Sequence, residues 1–304
     1  MPGARDDESP LALSTAWHLP RGTEPQTIPR LTTAMGFEGI ELSSLSPEAT
    51  RLLRQALREE PLTVVSVHAP CPVPYDGAAR LDDLASTDRR RRLAAIDYVK
   101  RTIDLAAEVG ARAVVIHAGR VEVSIPQSTV VETMEERPDG SWQELLARGL
   151  AEREARARRH LDLTIRSLGI LTAHLGNSSV RLAAETRYEY NDIPNLDEVA
   201  VLLDLFAPRG LVYWHDVGHA HAQAVLGLAT HRDYLDRYRD HLLGFHIHDA
   251  VGTHDHRPPG EGEIDFAMIA RYLRSTHLRV VELASHHPVS RVARGLATLR
   301  AKGW

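Results

Sequence analysis

Short apolar runs alternate with longer amphipathic stretches along the whole chain, and the two periods divide it into repeated strand–helix units. Strand-like runs fall at 11–19, 37–44, 63–71, 111–119, 180–187, 210–216, 242–249 and 279–285. Between them, helical periodicity predicts helices at about 27–35, 46–60, 88–109, 141–175, 196–206, 265–275 and 290–302, and a further helix ending over 234–241. Ser46-Pro47 is a helix start, Gly36 and Gly110 are helix stops, and Gly149 marks a candidate break inside the longest helix. Residues 1–10 form a polar lead expected to be disordered. Residues 120–141, with Pro126 and Pro138-Asp139-Gly140, interrupt the rhythm and read as a lid-like insertion after the fourth strand.

Strict β–α alternation implies a parallel sheet, and eight units are the number that closes into a (β/α)8 TIM barrel. The rival, an open doubly wound sheet, would call for a G-x-G-x-x-G turn after the first strand, and none is present. The expected organisation is one α/β barrel domain over 11–304.

Side chains alternate across a strand, so parity tests which strand-end residues share a face. Asp216 shares its face with Trp214 and Val212, Glu185 with Ala183 and Arg187, and Glu282 with Val280. His246 and His248 lie together, and His215 points the other way. Glu185, Asp216, His246 and Glu282 thus supply three carboxylates and one imidazole from four successive strands, aimed at the C-terminal mouth where such barrels work. Three buried carboxylates without a counter-charge repel one another, and a divalent cation (Mn, Co, Zn, Mg or Fe) resolves this. Nine of the 17 histidines lie between His215 and His256, and His68 and His117 end two earlier strands. His248 and Asp249 are placed to hold the ligands in orientation.

Composition narrows the partners. At 43% hydrophobic and 25% charged the chain is an ordinary globular protein, and its formal net charge of -5 argues against a protein that lives on nucleic acid. No run approaches the ~20 apolar residues of a membrane span. A single cysteine, Cys71, and an acidic N-terminus without an apolar segment lead to a cytoplasmic expectation. A small-molecule carbohydrate is the expected substrate, and a homo-oligomeric assembly is left open.

The stretches GFEGIEL, VHAP, IHAG, AAETRYEYNDIPNLDE, WHDVGHA, GFHIHD with HDH and PPGEGEIDF, and VVELA occur in order at the strand positions. In this the chain resembles, over essentially its whole length, the sugar phosphate isomerase/epimerase superfamily, the xylose isomerase-like TIM barrels that include AP endonuclease family 2. The resemblance implies a metal held by Glu185, Asp216, His246 and Glu282, with the two glutamates as acid/base pair acting through a cis-enediolate, and His219 as a substrate ligand. It also implies alternatives. An inosose-type dehydratase begins with the same proton abstraction. A zinc-dependent AP endonuclease-like phosphodiesterase would use His68, His117, His219 and His256 as further ligands. In that branch an Asp precedes the last His by two residues, where this chain has His254. Asp255 sits on the wrong parity for a simple swap, so a complete three-metal cluster would need His254 in place of that Asp. The loops after Glu185 and at 120–141 are acidic to neutral, unfavourable beside phosphate. Arg187 and Arg257 are the candidate substrate contacts, and a non-catalytic metal- or sugar-binding barrel is the last alternative.

Overall fold

The computed structural model describes residues 9–73, 83–137 and 139–304. Eight parallel strands close into a barrel: β1 (Leu11–Ser14), β2 (Gly39–Leu42), β3 (Thr63–His68), β4 (Ala113–Ile116), β5 (Arg181–Glu185), β6 (Leu211–Asp216), β7 (Leu242–Ile247) and β8 (Leu278–Val281). Each pairs with its sequence neighbours, and β8 returns to β1. Inward-facing Ala12, Val65, Ala113, Val115, Ala183, Trp214, Leu278 and Val280 fill the barrel. Trp214 needs the space that Gly244 leaves, since a Cβ there would sit 2.4 Å from the indole. The opposite parity, including Leu13, Ile40, Val67, Val114, Leu182, Phe245 and Ile247, packs in the larger core under the helices.

The helices are α1 (Ile28–Ala34), α2 (Pro47–Glu59), α3 (Arg89–Val109), α4 (Gln127–Glu136), α5 (Ser141–Leu175), α6 (Leu196–Phe206), α7 (Val217–Val225), α8 (His231–Tyr238), α9 (Phe266–Ala270) and α10 (Val289–Ala301). Their starts follow local chemistry. The Ser46 hydroxyl accepts from Ala49 N–H, Asp88 accepts from Arg90 N–H, and Asn195 and Thr230 each form a reciprocal box with the third helical residue. Among the described residues, no helix is long and apolar enough to cross a membrane.

Several expectations change in detail. The strands stop earlier than the apolar runs, because His117 and Glu282 lie just past the ends of β4 and β8. Two helices, α7 and α8, occupy the stretch after β6, separated by a turn at Gly227 with φ +73°. The longest helix, α5, is unbroken at Gly149. That glycine is required for packing instead, as a Cβ would lie 2.2 Å from the Tyr190 hydroxyl. After β7 the chain forms a hairpin, Asp249–Val251 against His254–Arg257. Segment 120–141 holds α4, and Gly119–Arg120 pairs with Asp192–Ile193. The Gln127 side chain ties α4 to the loop after β5 through Tyr188 C=O and Tyr190 N–H. Pro138 and residues 1–8 of the expected lead lie outside the described residues. Ser9 is buried, and its N–H donates to the Ser275 carbonyl at 2.8 Å.

Candidate metal centre

The interior parity of β5, β6, β7 and β8 continues past the apolar layer into the mouth. There Glu185, Asp216, His246 and Glu282 bring one ligand atom each within 4.8 Å of one another. Ligand atoms about 2.1 Å from a shared ion lie at most about 4.2 Å apart, so small side-chain rotations close the set. Glu185, Asp216 and His246 are fully buried, and Glu282 keeps 13% of its side chain exposed.

His246 is held from both sides. Its Nδ1 lies 2.5 Å from Glu185 Oε1 and its Nε2 lies 3.1 Å from Glu41 Oε2, and the same Glu41 oxygen accepts from the Ser66 hydroxyl at 2.8 Å. Burial alone would lower the His246 pKa, but Glu41, Glu282 and Glu185 raise it well above the usual imidazole value. Burial alone would likewise raise the Glu185 carboxyl, yet His246, His117 and His68 hold it well below the carboxylate range. Asp216 is depressed in the same way, by His219, His248 and His246. An imidazolium therefore supplies the positive charge that the carboxylates demand. A divalent ion would satisfy the same demand with a smaller, more central charge, and the oxygen-rich donor set with one nitrogen fits it.

Around this group stand the other histidines. His117 Nε2 is 3.1 Å and His68 Nε2 3.9 Å from Glu185 Oε2, so Glu185 is shared between the four-residue group and a second one made with His68 and His117. Arg187 is drawn inward: its guanidinium donates to Glu185 Oε2 at 2.7 Å and lies 3.4 Å from Asp192, so a buried ion pair occupies the residue expected to meet substrate. Asp216 caps the helix that carries His219, its Oδ1 accepting from the His219 backbone N–H at 2.7 Å. The His219 ring Nδ1 lies 2.9 Å from the Thr186 carbonyl, so Nδ1 carries the proton and Nε2 faces the mouth as a bare lone pair. Burial lowers the His219 pKa and keeps the ring neutral.

A third group, His219, His248 and His256, also meets the spacing of a metal site. Within it His248 has both nitrogens committed: Nδ1 accepts from the His256 backbone N–H at 2.9 Å, and Nε2 lies 3.0 Å from Asp216 Oδ1. The second of these contacts ties it to Asp216. Asp255 departs from the sequence reading. His256 adopts φ +55° and the hairpin register shifts near its base, which undoes simple alternation. Asp255 Oδ2 consequently lies 3.7 Å from His219 Nε2 and 3.9 Å from His256 Nε2. His254 turns outward to Glu135 of α4, at 2.7 Å. A carboxylate therefore stands beside this pair of imidazoles after all, supplied by the neighbour of the expected position.

The hairpin bearing these residues is pinned by Asp249, whose carboxylate accepts from Ala250, Gly260, Gly262 and Ile264 N–H groups at 2.8 to 3.1 Å. Glu41 was visible in the sequence only as a lone glutamate in a strand, and its partnership with His246 depends on β2 and β7 facing each other across the barrel.

A family model for xylose isomerase-like TIM barrels matches residues 29–302. The chain belongs to this family. An uncharacterized protein of Sinorhizobium fredii, y4fM, is 28% identical over 209 residues, 68% of this chain and 57% of that protein, so the chain spans little more than half the length of this relative. Two solved structures share the fold. The Escherichia coli 3-keto-D-glucoside 4-epimerase superposes with a TM-score of 0.64 at 20% identity, covering 91% of this chain and 94% of its own. Thermus thermophilus TTHB071, soaked with zinc chloride, superposes with a TM-score of 0.61 at 21% identity, covering 97% of each chain.

Proposed function

We propose that the protein is a divalent-metal-dependent isomerase or epimerase of a small carbohydrate, with Glu185, Asp216, His246 and Glu282 as metal ligands and Glu185 and Glu282 as the acid/base pair. One observation carries the reading: two carboxylates from β5 and the end of β8 meet in one buried group with Asp216 and His246. Membership of the family supports it, as does the epimerase activity named for the Escherichia coli structure. A bound ion would supply Lewis acidity, making the C–H beside a substrate carbonyl more acidic and favouring the charge of an enediolate.

The protein's own groups would divide the remaining work. Glu282, the partly exposed carboxylate, would take a proton and exchange it with water. Glu185, pinned by Arg187, His246 and His117, would hold its position on the other side of the reacting carbon. Neutral His219 would present Nε2 to a substrate hydroxyl, with His68 and His117 lining the wall beyond Glu185. A cytoplasmic setting belongs to the same proposal and is supported by the free, buried Cys71.

The test is incubation of metal-loaded protein with a panel of ketoses and keto-sugars in deuterated water. Expected is deuterium at the carbon beside the carbonyl, abolished in Glu185→Gln and Glu282→Gln. Loss of water from the product instead would assign the dehydratase variant of the same chemistry. Absence of any C–H exchange across the panel counts against the reading.

A second reading, a zinc-dependent phosphodiesterase, is favoured by two specific observations. Glu185 is shared between two candidate groups, and Asp255 restores a carboxylate to the His219–His256 pair. Cleavage of abasic DNA by protein loaded with two or more zinc ions, without C–H exchange, would select it.

A further inference from the structure

The outward face of β6 carries Tyr213 and His215 where a barrel strand ordinarily packs apolar side chains on its helices. Both are fully buried, as is Thr186, the residue that follows Glu185. Buried polar groups are costly unless bonded. Here they form a continuous chain: His231 Nδ1 to His215 Nε2 at 3.1 Å, His215 Nδ1 to Tyr213 Oη at 2.6 Å, and Tyr213 Oη to Thr186 Oγ1 at 2.6 Å. Thr186 Oγ1 also lies 3.4 Å from the Trp214 carbonyl, which can only accept.

That last contact favours one sense for the chain. The Thr186 hydroxyl donates to Trp214, the Tyr213 hydroxyl donates to Thr186, His215 Nδ1–H donates to Tyr213, and His231 Nδ1–H donates to His215. His215 then gives one proton and receives one, while His231 gives its Nδ1–H and its buried Nε2 has no hydrogen-bond partner. Burial holds both rings neutral, lowering His231 to about 4 and His215 well below the usual value.

The far end of the chain is a peptide unit of the proposed centre. Thr186 N–H donates to Trp214 C=O at 3.0 Å, its hydroxyl takes the Tyr213 proton, and its carbonyl receives His219 Nδ1–H at 2.9 Å. Glu185 precedes it and Arg187 follows. We propose that Tyr213, with His215 behind it, is a positioning residue that sets the Thr186 peptide and so fixes the ring of His219 and the Glu185–Arg187 turn. The inference rests on the metal-centre reading for its purpose, but the hydrogen-bond chain stands independently of it.

The test uses metal-free protein labelled with 15N-histidine, reading exchange of the His219 Nδ1–H, assigned by its loss in His219→Gln. Expected are a protected signal in wild type and Thr186→Ser, and exchange at least about tenfold faster in Tyr213→Phe and Thr186→Val. Tyr234→Phe, which alters a ring stacked on Tyr213 at 6.3 Å, should leave the signal unchanged. Equal protection in Tyr213→Phe and wild type would overturn the proposal, and so would equal loss in Tyr234→Phe. Cobalt(II) affinity serves as the second readout, with a fall of roughly 10- to 100-fold expected in Tyr213→Phe. Wild type that binds no cobalt would remove the metal-centre reading, while the exchange result would still decide the positioning role.

Discussion

Replacing Glu41 by glutamine probes how the proposed centre is held without touching a ligand. Glu41 Oε2 receives His246 Nε2–H at 3.1 Å and the Ser66 hydroxyl at 2.8 Å, in a fully buried position. Glutamine keeps the volume and can still accept from His246, but it turns a charge-assisted bond worth about 1.5–3 kcal/mol into a neutral one worth about 0.5–1.5 kcal/mol. The loss of about 1–1.5 kcal/mol corresponds to roughly a tenfold weaker metal, since about 1.4 kcal/mol is a factor of ten. Proton competition modifies this in a definite direction. A proton on His246 Nδ1 occupies the position a metal would take, and Glu41 is the first of the charges that raise this pKa. Removing its charge weakens the competing proton as well as the metal. The affinity deficit of Glu41→Gln should therefore be small in acid and grow as pH rises, while wild-type affinity itself falls on acidification. Cobalt(II) titration against a chromophoric chelator, from about pH 6 to 9, measures both. A variant that binds as tightly as wild type at the alkaline end, or whose deficit is largest in acid, would show that Glu41 does not hold His246 for a metal.

Other predictions concern the shell and the fold. His18 and His231 are both lowered to about 4, chiefly by burial, so between pH 6.5 and 4 the unfolded chain binds protons that the folded chain refuses. Their stability contribution is present above pH 6.5 and lost as pH falls, by about 2 kcal/mol each at pH 5. Thermal melts of wild type and His231→Gln should show a shallower acid dependence in the variant. Equal slopes would contradict it. Gly262→Ala places a Cβ 2.2 Å from the Ala250 carbonyl and 2.4 Å from Asp249, and should cost about 1–3 kcal/mol while loosening the hairpin that carries Asp255 and His256. An unchanged melting temperature would show that the hairpin shifts freely. Asp255→Asn should remove any second or third metal per chain and leave the ion proposed at Glu185, Asp216, His246 and Glu282, as read by elemental mass spectrometry. Loss of all metal in this variant would contradict the assignment of Asp255 to a separate group.

The barrel was legible because its information is local: apolar runs of period two, helical stretches of period 3.6 and glycine stops at Gly36 and Gly110. Parity alone placed Glu185, Asp216, His246 and Glu282 on the inner face, where the structure brings them together. Three features were not legible, and each has a physical reason. Asp255 reaches His219 because His256 takes a left-handed backbone, a conformation that an ordinary side chain rarely adopts and that no alternation rule anticipates. Glu41 meets His246 across the barrel, a contact between residues 205 positions apart. His215 read only as a histidine pointing the other way, and the fold gives it partners in Tyr213 and His231. Gly149 misled for the opposite reason: its space belongs to Tyr190, so a residue that weakens a helix locally is held there by tertiary packing.

The most direct measurement is the metal content of the purified and reconstituted protein, by elemental mass spectrometry, in wild type, Asp216→Ala and His246→Ala. At least one divalent ion per wild-type chain is expected, and its loss in both variants. Wild type that binds no metal after reconstitution, or variants that retain wild-type content, would contradict the proposed centre.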